Sequence, residues 1–146
     1  MKLVVIDGQG GGVGKSLVAA LKARMPHQHV IALGTNVQAT SAMLRAGADA
    51  GATGENAIRY QCKTADVIVI EGSYSHHPAL REKLIQLNAL LVYITVEENE
   101  QLRRIEKRDP ELRHMFETRW IPLEKNYFEA YDIQGTADLV IESEPW

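Results

Sequence analysis

The feature that most limits the fold is a glycine-rich segment at residues 8–16, with the sequence GQGGGVGKS. It directly follows a short apolar run at residues 3–6, which is typical of a buried strand in a parallel sheet. It leads into residues 13–25, whose apolar positions recur every three or four residues, as in an amphipathic helix. The chain is therefore predicted to begin with a strand, a glycine loop and a helix whose N-terminus lies at the loop.

The remaining sequence alternates between strand and helix patterns. Further strands are predicted at residues 30–33, 66–70, 90–96 and 139–141. Helices are predicted at residues 40–46, 78–87, 98–108, 110–120 and 123–131, the last two separated by a break at Pro122. Residues 47–56 contain three glycines among small and polar residues and are predicted to form a loop.

This alternation predicts one α/β nucleotide-binding domain over residues 1–146. The expected architecture is a three-layer sandwich with a mainly parallel five-stranded sheet, of the P-loop or Rossmann type. Ligands of such folds bind beyond the carboxyl ends of the strands. The glycine loop follows the first of these ends.

Composition argues against several kinds of partner. The net charge is −3, whereas sequence-independent binding of nucleic acid needs a surplus of Lys and Arg. No apolar run approaches the roughly 20 residues that span a membrane. Cys62 is the single cysteine, so no internal disulfide can form. We expect a cytoplasmic protein whose partner is a phosphate-bearing small molecule, and neither nucleic acid nor a membrane.

The glycine loop is predicted to bind the phosphates of a nucleotide. Glycines have no Cβ, so backbone N–H groups can turn towards an anion, and the N-terminus of the following helix adds partial positive charge. The residues predicted to contact phosphate are Gly8, Gly10, Gly11, Gly12, Val13, Gly14, Lys15 and Ser16.

The spacing within the loop leaves two ligand classes open. In a Walker A loop, G-x-x-x-x-G-K-[ST], the first glycine would fall at Gln9, and Gly8 is one residue early. Lys15 would then contact the β- and γ-phosphates of ATP, and Ser16 would bind Mg²⁺. The dinucleotide pattern G-x-G-x-x-G also fails, because Val13 stands where the third glycine belongs.

A looser glycine spacing, at Gly8, Gly12 and Gly14, resembles the loop of short-chain dehydrogenases. That resemblance implies NAD or NADP as the ligand, with Lys15 and Ser16 serving only as the first helical turn. A dinucleotide site also needs an acidic or other ribose-binding residue after the second strand.

Two parts of the chain resemble different protein families. Residues 1–58 carry the motifs IDGQGGGVGK, ALGTN and GATGENA, and resemble a small bacterial family of unknown function. Residues 66–141 carry VIEGSYS, HPALR, EQLRRI, RWIPLE and YFEA, and resemble the C-terminal half of uridine-kinase-like P-loop phosphotransferases. The two halves are consistent with a natural fusion or an engineered chimera, joined near residues 58–70.

The kinase resemblance implies roles for four side chains. Glu71 would lie near the phosphates and Mg²⁺, and arginines would form a lid over the transferred phosphoryl group. The residues implied in that lid are Arg104, Arg108 and Arg113. Arg104 and Arg108 would have a catalytic role, together with Lys15 and Glu71. Arg113 would bind the nucleotide.

Parts of a nucleoside kinase are missing from the sequence. Kinases of this type carry an acidic residue after the second strand, where this chain has Gly34, Thr35 and Asn36. Residues 47–56 are also too short and small to hold a nucleoside. We therefore expect an ATP-type nucleotide-binding protein with weak or no phosphotransfer activity. The alternatives are a dinucleotide-binding protein and a recombined or vestigial scaffold without catalysis.

Overall fold

The computed structural model describes residues 1–8, 12–54 and 65–144. They belong to two compact units, Met1–Ser75 and His76–Trp146.

The first unit is built on a parallel four-stranded sheet. Its elements are β1 (Lys2–Asp7), α1 (Gly12–Arg24), β2 (His29–Gly34), α2 (Val37–Arg45), β3 (Ala50–Thr53) and β4 (Val67–Glu71). The strand order is β3-β2-β1-β4, and every neighbouring pair is parallel. This confirms an α/β fold with a mainly parallel sheet.

Strands β1 and β2 are apolar on both faces because both faces are covered. On one face, Val5 packs with Val18 of α1 and Met43 of α2, and all three are fully buried. On the other face, Val4 and Ile31 form a second buried cluster. The alternation of side chains across a strand places consecutive residues in these two clusters.

The structure corrects the prediction of a loop over residues 47–56. Residues 50–53 form β3, which pairs with β2 from Ile31 opposite Ala50 to Gly34 opposite Thr53. The residues are small because α2 packs closely: a Cβ on Gly51 would lie 3.0 Å from the Thr40 methyl group. Close packing explains the glycine and alanine content that suggested a loop. Residues 55 and 56 of that predicted loop lie outside the described residues.

The second unit contains helices and two strands. Its regular elements are α3 (Pro78–Gln86), β5 (Val92–Thr95), α4 (Glu98–Arg108), a 3-10 turn (Pro110–Leu112), α5 (Arg113–Met115), a π-helical turn (Phe116–Trp120), α6 (Ile121–Ala130) and β6 (Leu139–Glu142). Strands β5 and β6 pair in parallel as a separate sheet. The described strands thus form sheets of four and two, which differs from the predicted single sheet of five.

Pro122 lies in the first turn of α6, directly after the π-helical turn, so helical backbone runs across the predicted break. The first turn is the part of a helix in which proline is most readily tolerated. In the part of the chain that the structure describes, no helix has both the length and the apolar character needed to cross a membrane.

Candidate functional site

The glycine loop lies where the strand order of the first sheet reverses. From β1 the chain moves to β2 and β3 on one side, whereas β4 pairs with the other side of β1. Open parallel sheets bind ligands beyond the carboxyl ends of the strands at such a switch point. The N–H of Gly8 donates to the main-chain carbonyl of Glu71 at 2.9 Å, which joins the two strand ends. The predicted residues Gly8 and Glu71 are therefore brought together at one edge of the sheet.

Asp7 is a residue of this site that the sequence analysis did not identify. It ends β1, is fully buried, and accepts a hydrogen bond from the N–H of Gly14 at 3.1 Å through Oδ2. Its main-chain carbonyl accepts the N–H of Thr35 at 3.1 Å. Asp7 therefore holds β1 to both the start of α1 and the end of β2. The available signal was an acidic residue placed directly between an apolar strand and a glycine loop.

Glu71 faces Asp7 across the paired ends of β4 and β1. Burial, followed by the charge of Asp7, raises the pKa of Glu71 to about 7, and the Gly8 N–H partly offsets this rise. The Oε2 atom of Glu71 is buried, with no hydrogen-bond partner among the described residues. Two carboxyl groups therefore lie side by side at the paired ends of β1 and β4.

Gly14 is required by the packing of α1 against the end of β1. A Cβ at this position would overlap Asp7 Oδ2 and would lie 2.9 Å from both Asp7 Cβ and Met43 Sδ. Contacts this short do not occur between real side chains, so any larger residue would displace a neighbour. The absence of a Cβ lets the first turn of α1 approach β1 and α2.

The other predicted loop residues take different places. Gly12 and Val13 are the first two residues of α1, and the side chains of Lys15 and Ser16 are exposed two and three residues later. The Ser16 hydroxyl donates to the main-chain carbonyl of Gly12 at 3.0 Å. The remaining predicted phosphate ligands, Gly10 and Gly11, lie outside the described residues.

The polar residues after β2 have structural partners. The Thr35 hydroxyl donates to the carbonyl of Gly8 at 2.9 Å. The Asn36 side chain accepts the N–H of Ala39 at 2.8 Å and thereby caps the N-terminus of α2. These contacts fix the strand ends around the loop, and neither residue is acidic.

The three predicted lid arginines lie in the second unit, paired with carboxyl groups there. Arg108 contacts Asp109 at 2.5 Å and lies over the ring of Phe116. Arg113 pairs with Glu106 and with Glu117. Their charges are thus compensated by neighbouring acidic side chains.

Arg104 makes the most extensive contacts of the three. It binds Glu100 at 2.7 Å, the Ser143 hydroxyl at 2.9 Å and the Glu144 carbonyl at 2.7 Å. Hydrogen bonds from Arg103 and then Arg104 lower the pKa of Glu100 to about 2. Arg104 therefore connects α4 to the segment that follows β6.

We expect Arg104→Ala to lower the free energy of unfolding by about 1–2 kcal/mol, because three hydrogen bonds of a charged group are lost. Arg103→Ala is the matched control, since Arg103 pairs with the same Glu100 but is half exposed; its loss should change stability much less, because exposed ion pairs contribute little. Urea denaturation of the full chain measures both. Unchanged stability of the Arg104 variant, with weaker binding of ATP–Mg²⁺, would favour the lid role instead.

Among residues 1–8, 12–54 and 65–144, no group of three His, Cys, Asp or Glu side chains is arranged to hold a metal ion. The Asp7 and Glu71 pair offers two carboxyl groups. Any cation there would complete its coordination with other oxygen atoms, such as those of water or phosphate.

Comparison with known proteins gives one match. Residues 2–80 match a family described as Domain of unknown function (DUF3842). No curated protein and no solved structure matches the chain. The matched segment begins with β1, includes the glycine loop and Glu71, and continues through residues 58–70 into α3. Because it spans more than half of the 146 residues, the chain belongs to the DUF3842 family.

Proposed function

We propose that this protein binds the phosphates of an ATP-type nucleotide, together with Mg²⁺, at the switch point between β1 and β4. The observation that carries the proposal is the position of the glycine loop. It joins the carboxyl end of β1 to the N-terminus of α1, a 13-residue helix, at the point where the strand order reverses. Backbone N–H groups at a helix N-terminus are a favourable environment for phosphate.

The connectivity of the first unit is compatible with a mononucleotide as the ligand. Dinucleotide-binding folds combine two βαβαβ halves, each of which binds one mononucleotide. Elements β1, α1, β2, α2 and β3 make up one such half. Lys15 and Ser16, in the first turns of α1, supply the side chains that Walker-type loops direct at terminal phosphates and Mg²⁺.

The donor atoms at the loop fit a hard cation. Mg²⁺ is usually held by one or two carboxylates and completes its shell with waters and substrate phosphates. Glu71 has a buried oxygen without a hydrogen-bond partner among the described residues, and Asp7 lies beside it. Glu71 and Ser16 would hold the ion, with the Ser16 hydroxyl turning away from the Gly12 carbonyl. Bound Mg²⁺ would compensate the negative charge of the phosphates.

We expect phosphotransfer to be very slow or absent, although the chain resembles kinases in its second half. Transfer requires an acceptor held in line and activated by a base. Thr35 and Asn36 follow β2 in place of an acid, and residues 50–53 form the strand β3. Labelled ATP with Mg²⁺ and a panel of nucleosides measures turnover. A rate near one per second, ordinary for enzymes, would contradict this expectation.

A thermal-shift series on the full chain tests nucleotide binding. ATP–Mg²⁺ and GTP–Mg²⁺ are compared with NAD and NADP, because a ligand that binds the native state alone raises the unfolding temperature. We expect a rise with a nucleoside triphosphate and Mg²⁺. No change with any of the four ligands would contradict the proposal and favour a scaffold without a working site.

We expect Lys15→Ala to weaken ATP–Mg²⁺ binding about tenfold or more and to leave NAD binding unchanged. A hydrogen bond from a charged group to the terminal phosphates contributes about 1.5–3 kcal/mol, and a dinucleotide lacks those phosphates. Lys83→Ala, a change of an exposed lysine on α3, is the matched control. Isothermal titration calorimetry measures the affinities, and equal weakening of both ligands would count against the Walker-type role of Lys15.

NAD or NADP binding is a second candidate, favoured by two observations. The order β3-β2-β1-β4 is that of the first four strands of dinucleotide-binding folds. Gly14 permits close packing of helix and strand, which is the role of the third glycine of the dinucleotide motif. Thr35 and Asn36 follow β2 and already make hydrogen bonds within the protein. Neither is the carboxylate that would bind a ribose, which argues against this candidate. A rise in the unfolding temperature with NAD alone would support this candidate.

A further inference from the structure

Arg81 joins the start of α3 to the end of α6, both of which belong to the second unit. Its Nη2 group donates to the main-chain carbonyl of His76, just before α3, at 3.4 Å. The same group donates to the carbonyl of Tyr131, which follows α6, at 3.2 Å. A cation at this position also compensates the negative end of the α6 dipole. We call these two hydrogen bonds the α3–α6 latch.

The ring of His77 supports the same contact between the two helices. It lies nearly parallel to the ring of Tyr127, with ring centroids 6.2 Å apart, and 5.1 Å from the ring centroid of Tyr131. Its Nδ1 atom accepts the N–H of Ala79 at 3.2 Å and caps α3. An imidazole can accept through Nδ1 only while that nitrogen carries no proton. The cap therefore depends on a neutral His77.

His76, the preceding residue, is held in a place that suits the neutral ring. Its Nδ1 atom is buried, with no hydrogen-bond partner among the described residues. An imidazolium carries a proton on both nitrogens, so Nδ1 would become a buried donor without an acceptor, which is costly. Burial, followed by the charge of Arg81, lowers the pKa of His76, and the charge of Asp138 partly offsets this.

The charged groups around His76 would not compensate a second positive charge. Arg81, on α3, is itself a cation, and its Nε atom is buried without a partner in the part of the chain that the structure describes. Asp138, in the segment before β6, already accepts the N–H of Leu91 at 2.8 Å through Oδ2. A proton on His76 would therefore place two cations next to each other at the latch.

We propose that the α3–α6 latch is a pH-sensitive device, which opens when His76 is protonated and frees the start of α3 from the end of α6. The open arrangement is favoured because it lets the charged ring turn towards water and move away from Arg81. This inference does not depend on nucleotide binding.

The direction of the pH dependence follows from the lowered pKa of His76. The stability linked to the neutral ring is fully present above the ordinary pKa of 6.5 and is lost as the pH falls below it. The latch is therefore closed near pH 7.5 and opens progressively in mildly acidic solution.

Amide hydrogen exchange of the full chain, followed residue by residue by NMR, tests the proposal. The N–H groups of Leu80 and Arg81 donate to the His77 carbonyl at 2.8 and 3.1 Å, so they report on the first turn of α3. After correction for intrinsic exchange, we expect their opening equilibrium to rise at least about threefold from pH 7.5 to 5.5; one proton permits at most about tenfold per pH unit. No rise would overturn the inference.

His76→Asn separates the charge of this ring from other effects of pH. Its side-chain amide is polar and close in position to Nδ1, and it does not titrate in this range. We expect the exchange of Leu80 and Arg81 to become independent of pH. His114→Asn is the matched control: it removes an exposed histidine from α5 of the same unit and should retain the wild-type dependence. Wild-type pH dependence in His76→Asn would overturn the inference.

Titration of the His76 ring by NMR keeps the inference testable if His76→Asn does not fold. We expect a midpoint below 6.5 in the wild type, and a higher midpoint in Arg81→Gln because the neighbouring charge is removed. A purely structural role of Arg81 predicts the same midpoint in both proteins. That result, or a wild-type midpoint at or above 6.5, would overturn the inference.

Discussion

Replacing Gly14 with alanine should lower the free energy of unfolding by about 2–3 kcal/mol. The added Cβ would lie 2.9 Å from Asp7 Cβ, which belongs to a central strand and cannot move without the strand. Overpacking of this kind costs about 1–3 kcal/mol, and here the hydrogen bond from the Gly14 N–H to Asp7 is strained as well. The better helix propensity of alanine returns about 1 kcal/mol at most. The steric term is therefore expected to exceed the gain in propensity.

Amide hydrogen exchange of the β1 residues is the appropriate measurement for the Gly14 variant. Hydrogen exchange of these residues reports the opening of the first unit itself. Tryptophan fluorescence would report on the second unit, because both tryptophans, Trp120 and Trp146, belong to it. Ser16→Ala is the control, because this exposed position in the same helix should change stability by no more than about 0.5 kcal/mol. A Gly14→Ala protein as stable as the wild type would mean that α1 starts further from β1 than the structure describes.

The strand, loop and helix at the start of the chain could be predicted because hydrophobic periodicity changes sharply on either side of the glycines. The position of Glu71 beside the loop could also be anticipated, since β1 and β4 both end at the same edge of the sheet. The role of Asp7 could not be predicted from the sequence. Its partner, the Gly14 N–H, is set by how close α1 packs, and no local pattern reports that distance.

The errors of sequence reasoning arose where distant contacts override local preference. β3 was missed because its residues are small, a consequence of α2 lying over them. The lid role of Arg104 stays a prediction from a resemblance. The sequence showed no sign of two of its hydrogen-bond partners, Ser143 and Glu144, which lie about 40 residues further along the chain. A basic helix face gives no indication of such partners, because the same residues can be solvated or paired.

The stability of the first unit should fall as the pH rises through 7, and Glu71→Gln should remove most of that fall. The pKa of Glu71 is raised from 4.5 to about 7, first by burial and then by the charge of Asp7. The folded chain thus holds a proton that the unfolded chain releases between these pH values. The stability linked to this proton is fully present below about pH 4.5 and is lost as the pH passes 7. Because the carboxyl group is partly accessible to water, we expect a loss of about 2 kcal/mol.

Glutamine is a neutral analogue of the protonated side chain, so the sign of the stability difference between variant and wild type can be predicted at each pH. Glu71→Gln and the wild type should have similar stability near pH 5, and the variant should be the more stable near pH 8. Urea denaturation at both values, followed by hydrogen exchange of the β1 residues, gives the difference. Glu82→Gln, a change of an exposed residue on α3, is the control and should follow the wild type at both pH values. If Glu71→Gln loses as much stability between pH 5 and 8 as the wild type, another group must carry the dependence. Glu71 would then be ionised throughout this range, and the two carboxylates would repel each other in the folded protein near pH 5 as strongly as near pH 8.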